Sequence, residues 1–203
     1  MTKFITFEGI DGSGKSTQIE FLEQKLKELN KSVKIFREPG STALSEKIRN
    51  ILLDKKHIGL SSNSESLLFA AARAQLTIEK IQPALNDNCI VICDRYIDST
   101  VAYQGYGRGL VIENIKKINL MATLGLVPDL TFVLDIDPKI TKDRMDNEIN
   151  DRIESVGIDF FKRIRNGYKE IVKENPSRCI EINANQAPEE VFNDIFKVIL
   201  KKL

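Results

Sequence analysis

Short apolar runs alternate along the chain with amphipathic stretches. Residues 3–8, 33–36, 89–93, 130–135 and 178–182 are nearly continuous hydrophobics. A strand buried on one face alternates polar and apolar residues. One covered on both faces, as in a parallel sheet, reads as an unbroken apolar run. The stretches between show helical spacing. Ile19, Leu22, Leu26 and Leu29 follow one face, and Ile48, Ile51 and Leu52 another. Leu67, Leu68, Ala71 and Ile78 mark a longer helix, capped by Ser64 and ended by Pro83. Ile112, Ile115, Ile118 and Met121 mark the next. The last opens with Pro188 in its first turn and carries Val191, Ile195 and Ile199.

Strands alternating with helices predict an α/β fold, a doubly wound parallel sheet with helices on both faces. The chain shows no repeat, low-complexity tract or linker, so residues 1–203 read as one domain. One segment, residues 142–154, is dense in charge and interrupts the rhythm. It reads equally as a solvated helix face or as a mobile lid over a site.

Composition changes this picture little. Of 203 residues, 42% are hydrophobic and 29% charged, enough to bury a full core. The formal charge is +1, from 30 basic and 29 acidic residues. That balance gives no general attraction to nucleic acid or to an anionic membrane, so neither is expected as a partner. Cys89, Cys93 and Cys179 form neither a disulfide framework nor a zinc pattern and read as buried small hydrophobes. His57 lacks a nearby His or Cys and reads as a solvated loop residue. The start MTKFITFEG is no export signal, and stretches such as LLFAAA (67–72) fall short of the ~20 residues a membrane helix needs. A cytoplasmic protein is expected.

The chemistry begins at Gly9–Ile10–Asp11–Gly12–Ser13–Gly14–Lys15–Ser16, which matches G-x-x-x-x-G-K-[ST] in full and runs on into Thr17. Its glycines let the backbone curl so that N–H groups face phosphate oxygens. A helix starting near Lys15 adds its dipole, Lys15 adds a point charge, and Ser16 can hold Mg²⁺. The motif follows the strand FITFE and opens an amphipathic stretch, which is its proper context. A second apolar run delivers Asp94–Arg95–Tyr96 at its carboxyl end, where open α/β sheets bind ligands. Asp94 is placed as an outer-shell partner of nucleotide-bound Mg²⁺, and Arg95 can fork onto a phosphate.

A phosphate loop alone does not name a reaction. A GTPase switch would need an Asn-Lys-x-Asp motif after a strand, which VLDIDPK around Asp135 does not supply. An ATPase acting on nucleic acid would carry a basic patch. A kinase for another nucleoside monophosphate or for a deoxynucleoside is the remaining alternative.

The stretches FEGIDGSGKSTQ (7–18), REPGST (37–42), LLFAAARAQ (67–75), DRYIDSTVAYQGYGRGL (94–110), PDLTFVLDID (128–137) and DRIE (151–154) together resemble the thymidylate kinase family over essentially the whole chain. The resemblance implies a five-stranded nucleoside monophosphate kinase fold with a mobile lid, ATP and dTMP as substrates, Mg²⁺ as cofactor and a homodimer. It places Asp11 on the 3′-hydroxyl of dTMP and Arg49 and Arg95 on the acceptor phosphate. Phe69 would stack on thymine and Arg73 would hydrogen-bond its edge. Ser99, Thr100, Tyr103 and Gln104 would line the deoxyribose and base, with Tyr103 near C2′. Glu38–Pro39–Gly40 would form a rigid wall with a cis Glu38–Pro39 bond.

The loop has no arginine, so the family pattern assigns Arg152 as the catalytic cation beside Lys15 and Arg95, with Arg144 near the adenine or the lid base. Three departures stand out. Family members commonly have Ala-Asp-Arg-Ala-Gln-His where this chain has Ala71–Leu76, and often a glycine where Ser41 stands. The lid is slightly short.

Overall fold

A computed structural model of the chain describes residues 2–145 and 151–202, the side chains at 142–145 and 154 excepted. Its strands are β1 (Phe4–Glu8), β2 (Val33–Arg37), β3 (Ile90–Asp94), β4 (Leu130–Asp135) and β5 (Cys179–Asn183). They form one sheet in the order β2-β3-β1-β4-β5, with every neighbouring pair parallel. Each lies within a residue or two of an apolar run in the sequence. The helices are α1 (Lys15–Glu28), α2 (Ala43–Leu53), α3 (Ser62–Leu76), α4 (Gln82–Asn86), α5 (Ile97–Thr100), α6 (Ile112–Thr123), α7 (Pro138–Met145), α8 (Ile158–Glu174) and α9 (Pro188–Lys202).

The two faces of β1 show how the sheet is buried. Ile5 and Phe7 enter a large apolar cluster with Leu22 and Leu26 of α1, Ile164 of α8 and Ile195 of α9. Phe4 points the other way, into a smaller cluster with Leu76, Val91, Cys93 and Tyr96. Thr6 and Glu8 share that second face by alternation and are fully buried. Thr6 meets its cross-strand partner hydroxyl, Thr131 Oγ1, at 2.8 Å. A buried Glu8 needs partners as well, and they lie at the carboxyl end of the sheet. All three cysteines are buried and free, and His57 is exposed. No helix among the described residues is long and apolar enough to cross a membrane.

The third helix departs from expectation. Its N-cap is Ser61, whose side chain accepts from Ser64 N at 3.1 Å. Leu67 and Ile78 are about half exposed, while Glu65, Ser66, Ala70, Ala72 and Arg73 face inward. The inner face of α3 borders a polar cavity, so polar side chains point in and some leucines point out. Pro83 does not end this helix either. A π-helical segment, Thr77–Ile81, restarts the hydrogen-bond ladder. Pro83 then occupies the first turn of α4, where its missing N–H is not needed.

Candidate active site

Strand β1 ends at Glu8 and the chain turns at once through the phosphate loop. Gly9 has φ +138°, and a Cβ there would sit 2.7 Å from the Leu134 carbonyl oxygen. The loop thus presses against β4, and only glycine allows it. Gly14 caps α1 in the left-handed conformation, φ +89°, leaving the first N–H groups of that helix open. Lys15 folds back over the loop, its Nζ donating to Gly9 O (3.3 Å) and Ile10 O (3.2 Å). Burial and the neighbouring Arg95 cation both lower its pKa, against Asp94, Asp11 and Glu8.

Beside the loop lies a cavity of about 560 Å³. Asp11, Gly12, Gly14, Lys15, Ser16 and Thr17 line its phosphate-loop side. Glu38, Pro39, Arg49, Phe69, Arg73, Ser99, Thr100, Tyr103 and Gln104 line the rest, with Asp94 and Arg95 between. Gly9, Ile10 and Ser13 belong to the loop but do not line the cavity. Ile10 and Ser13 are buried.

Arg95 is the junction of the two sides. Its backbone takes φ +68°, a left-handed conformation costly for a side chain with a Cβ. That sharp turn after β3 swings the guanidinium across the loop. Nη2 donates to Asp11 Oδ1 (2.6 Å) and Tyr103 OH (3.1 Å). Nη1 donates to Gly9 O (2.8 Å), Ser99 Oγ (3.1 Å) and Tyr168 OH (3.3 Å). Tyr103 OH donates to the other Asp11 oxygen at 2.9 Å. Burial would raise the Asp11 pKa, but Arg95 and Lys15 outweigh it and hold the group down at about 2.

Behind Arg95, Glu8 accepts from Tyr96 N (2.8 Å), Tyr168 OH (2.9 Å) and the Ser99 hydroxyl. Burial, then the charge of Asp98, push Glu8 up to about 7, against the pull of Arg95. Sequence reasoning missed both Glu8 and Tyr168. An acidic residue closing a strand buried on both faces was a signal for Glu8. Tyr168, on the distant α8, gave none.

At the far end, Arg73 is only 1% exposed. Its Nε lies 2.7 Å from the Glu38 carboxylate, and its Nη atoms reach Asn119 Oδ1, Thr100 Oγ1 and the Tyr96 carbonyl. Expected mainly as a base contact, Arg73 is also the hub joining α3, α5, α6 and the wall after β2. Burial raises Glu38 to about 7 despite Arg73. The Glu38–Pro39 bond is cis. Arg49 Nη1 donates to Pro39 O at 3.1 Å, and burial and Arg37 lower its pKa. Arg37 lines the cavity too, a further cation overlooked in REPGST. Ser41 holds φ +68°, which accounts for the glycine common there. Its Oγ compensates by accepting from Arg37 N at 2.8 Å.

The structure does not bring Arg152 to this cavity. Asp151 and Ile153 line it, and Arg152 between them turns the other way. Its backbone N–H donates to Leu53 O (3.2 Å) and its Nε to Leu52 O (2.7 Å), docking the segment on the end of α2. The guanidinium then lies 2.7 Å from Glu65 Oε2, with the side chain 5% exposed. Loss of this cation would leave Glu65 paired with Arg108 and the Leu52 carbonyl without its donor. In this geometry Arg152 anchors the segment, and its side chain does not line the cavity where a catalytic cation was expected. The side chain of Arg144, in α7, lies outside the described residues, as do residues 146–150 of the expected lid.

A Mg²⁺ ion accompanying a nucleotide has suitable ligands. Asp94 Oδ1 is buried with no hydrogen-bond partner, and Ser16 lines the cavity at the start of α1. No group of three or more His, Cys, Asp or Glu among the described residues forms a metal cage. That suits a cation held largely by phosphate oxygens and water.

A parallel sheet, a phosphate loop at its carboxyl edge and a cation-lined cavity alongside define a P-loop phosphotransferase. The thymidylate kinase family profile matches residues 7–195. A thymidylate kinase of Thermoanaerobacter sp. (strain X514) is 47% identical over 201 residues, covering 99% of this chain and 98% of that protein. One from Finegoldia magna is 47% identical over 201 residues, covering 98% of each. The crystal structure of thymidylate kinase from Ehrlichia chaffeensis superposes with a TM-score of 0.80 at 40% identity, covering 97% of each chain. The chain belongs to the thymidylate kinase family.

Proposed function

We propose that this chain phosphorylates dTMP to dTDP with ATP, as a single-domain, Mg²⁺-dependent cytoplasmic enzyme. The observation that carries the reading is the position of Arg95, between phosphate loop and cavity, with Arg49 on the facing wall. Two anionic phosphates can approach for in-line transfer only where cations offset their repulsion. The loop from Gly9 to Thr17 takes the ATP phosphates, with Lys15 on the transferred group. Ser16 directly, and Asp94 through water, would hold Mg²⁺, which supplies charge neutralisation on the phosphate oxygens.

In the cavity, Arg49 and Arg95 hold the acceptor phosphate. Phe69 stacks on the base, Arg73 and Gln104 meet its edge, and Asp11 accepts from the 3′-hydroxyl. Tyr103 closes on the sugar beside Ser99 and Thr100, disfavouring a ribose 2′-hydroxyl. Leu67 of α3, Ile78 of the π-helical segment after it, and Leu120 and Met121 of α6 are exposed on helical segments that pack together, which supports a homodimer through them. Coupled ATP-consumption assays across the common monophosphates test the function. dTMP should be preferred, dUMP weaker and purine monophosphates inactive. A larger kcat/KM for AMP or CMP than for dTMP would overturn it.

A further inference from the structure

Gln104 lines the cavity and donates from Nε2 to Glu65 Oε1 at 2.9 Å. Glu65 is 1% exposed on α3 and is shared by two arginines. Arg108 donates Nε to Oε1 (3.1 Å) and Nη2 to Oε2 (3.0 Å), and Arg152 lies 2.7 Å from Oε2. Burial favours the neutral acid, but the hydrogen bonds from Arg108 and Gln104 outweigh it and lower the Glu65 pKa. Glu65 is therefore a carboxylate, which can only accept. The end of Gln104 that faces it must therefore be the amide NH₂. The Gln104 carbonyl oxygen faces away from Glu65, and among the described residues nothing donates to it.

We propose that Glu65 sets base specificity by holding the Gln104 amide with its carbonyl toward the cavity, admitting a pyrimidine that carries N3–H and refusing one with a bare N3. The inference rests on the dTMP reading and deepens it. Thymine and uracil present a donor at N3 beside an acceptor at O4. Cytosine presents the reverse. A Gln104 oxygen only accepts, and the Arg73 guanidinium lining the same cavity only donates. The pair matches thymine and uracil at two atoms and opposes cytosine at both. Guanine shares the thymine pattern at O6 and N1, so its exclusion must come from shape. The informative probes are dUMP and dCMP, which differ only at this edge.

The test is kcat/KM for dTMP, dUMP and dCMP in wild type, E65Q, Q104L, the E65Q/Q104L double variant and R108A. In E65Q the neutral amide can offer either end, so Gln104 is free to turn over. The dUMP:dCMP ratio should fall roughly tenfold or more. Q104L should lower it similarly, and the double variant should fall no further. R108A removes one of the two arginines, while Arg152, 2.7 Å from Oε2, still holds Glu65 as the carboxylate that binds Gln104. Its ratio should stay within about twofold of wild type even where its Tm drops.

Should E65Q fail to fold, Q104L against R108A decides. A wild-type ratio in both E65Q and Q104L, or an R108A drop as large as that of E65Q, overturns the proposal while the dTMP reading stands. Wild type inactive on dTMP overturns both.

Discussion

Asp11 Oδ1 lies 2.6 Å from Arg95 Nη2, so an ion pair ties the phosphate loop to the strained turn after β3. On the proposed reading, an acceptor phosphate would share Arg95 with Asp11, Gly9 O and Ser99, which fix the guanidinium before it takes a further partner. R95A should lower kcat/KM for dTMP by about 10²–10³, because a charge-assisted contact is lost in a poorly solvated site. ATP affinity should change little. A matching loss in ATP affinity, read by titration with a fluorescent ATP analogue, would instead make Arg95 a brace of the loop.

Glu8 predicts a pH dependence of stability. Its folded pKa is raised from 4.5 to about 7, so the folded state holds a proton that the unfolded state has released. Stability then falls as pH rises between these values and levels off above the upper one. Glu38, also raised to about 7, adds a slope of the same sign. Melting curves of E8Q across that window should show a shallower decline than wild type, by on the order of 1–3 kcal/mol. Identical slopes would mean that Glu8 is ionised throughout.

Arg152 separates two accounts of the lid. As the cation that stabilises the transferred phosphoryl, its loss should cut kcat by about 10³ and leave Tm unchanged. As an anchor held by the Leu52 carbonyl and by Glu65, which Arg108 would still pair, its loss should destabilise by ~1–3 kcal/mol and lower kcat less than about tenfold. The structure favours the second outcome for R152A, with thermal melts and saturating-substrate rates measured on the same preparation.

The fold was legible because a parallel sheet writes itself in unbroken apolar runs, and all five strands lie close to theirs. The phosphate loop was legible because local backbone geometry needs glycine at Gly9 and Gly14. Two kinds of information were not. Leu67 and Ile78 looked like core, since periodicity reports a stripe and not what the opposite face of the helix meets. Glu65, Tyr168 and the outward turn of Arg152 depend on contacts between residues far apart in the chain. The position of a charged side chain in the sequence did not disclose which partner holds it. Arg73 shows both limits: the motif pointed to the cavity wall, and only packing revealed the buried carboxylate beside it.

That carboxylate changes how Arg73 should be tested. Arg73 and Glu38 are 1% and 2% exposed, with Nε 2.7 Å from Oε1. R73A alone leaves a buried acid without its cation and should destabilise by ~3–5 kcal/mol, so a raised KM for dTMP would be confounded by partial unfolding. In the E38Q background the same substitution leaves no buried charge. Tm of the E38Q/R73A variant should recover most of the R73A loss. If Arg73 also meets the base edge, KM for dTMP in the double variant should remain about tenfold or more above that of E38Q, since the base loses a buried hydrogen bond. KM for ATP should stay level. A KM for dTMP equal to that of E38Q would confine Arg73 to neutralising Glu38, and the base edge would then be read by Gln104 alone.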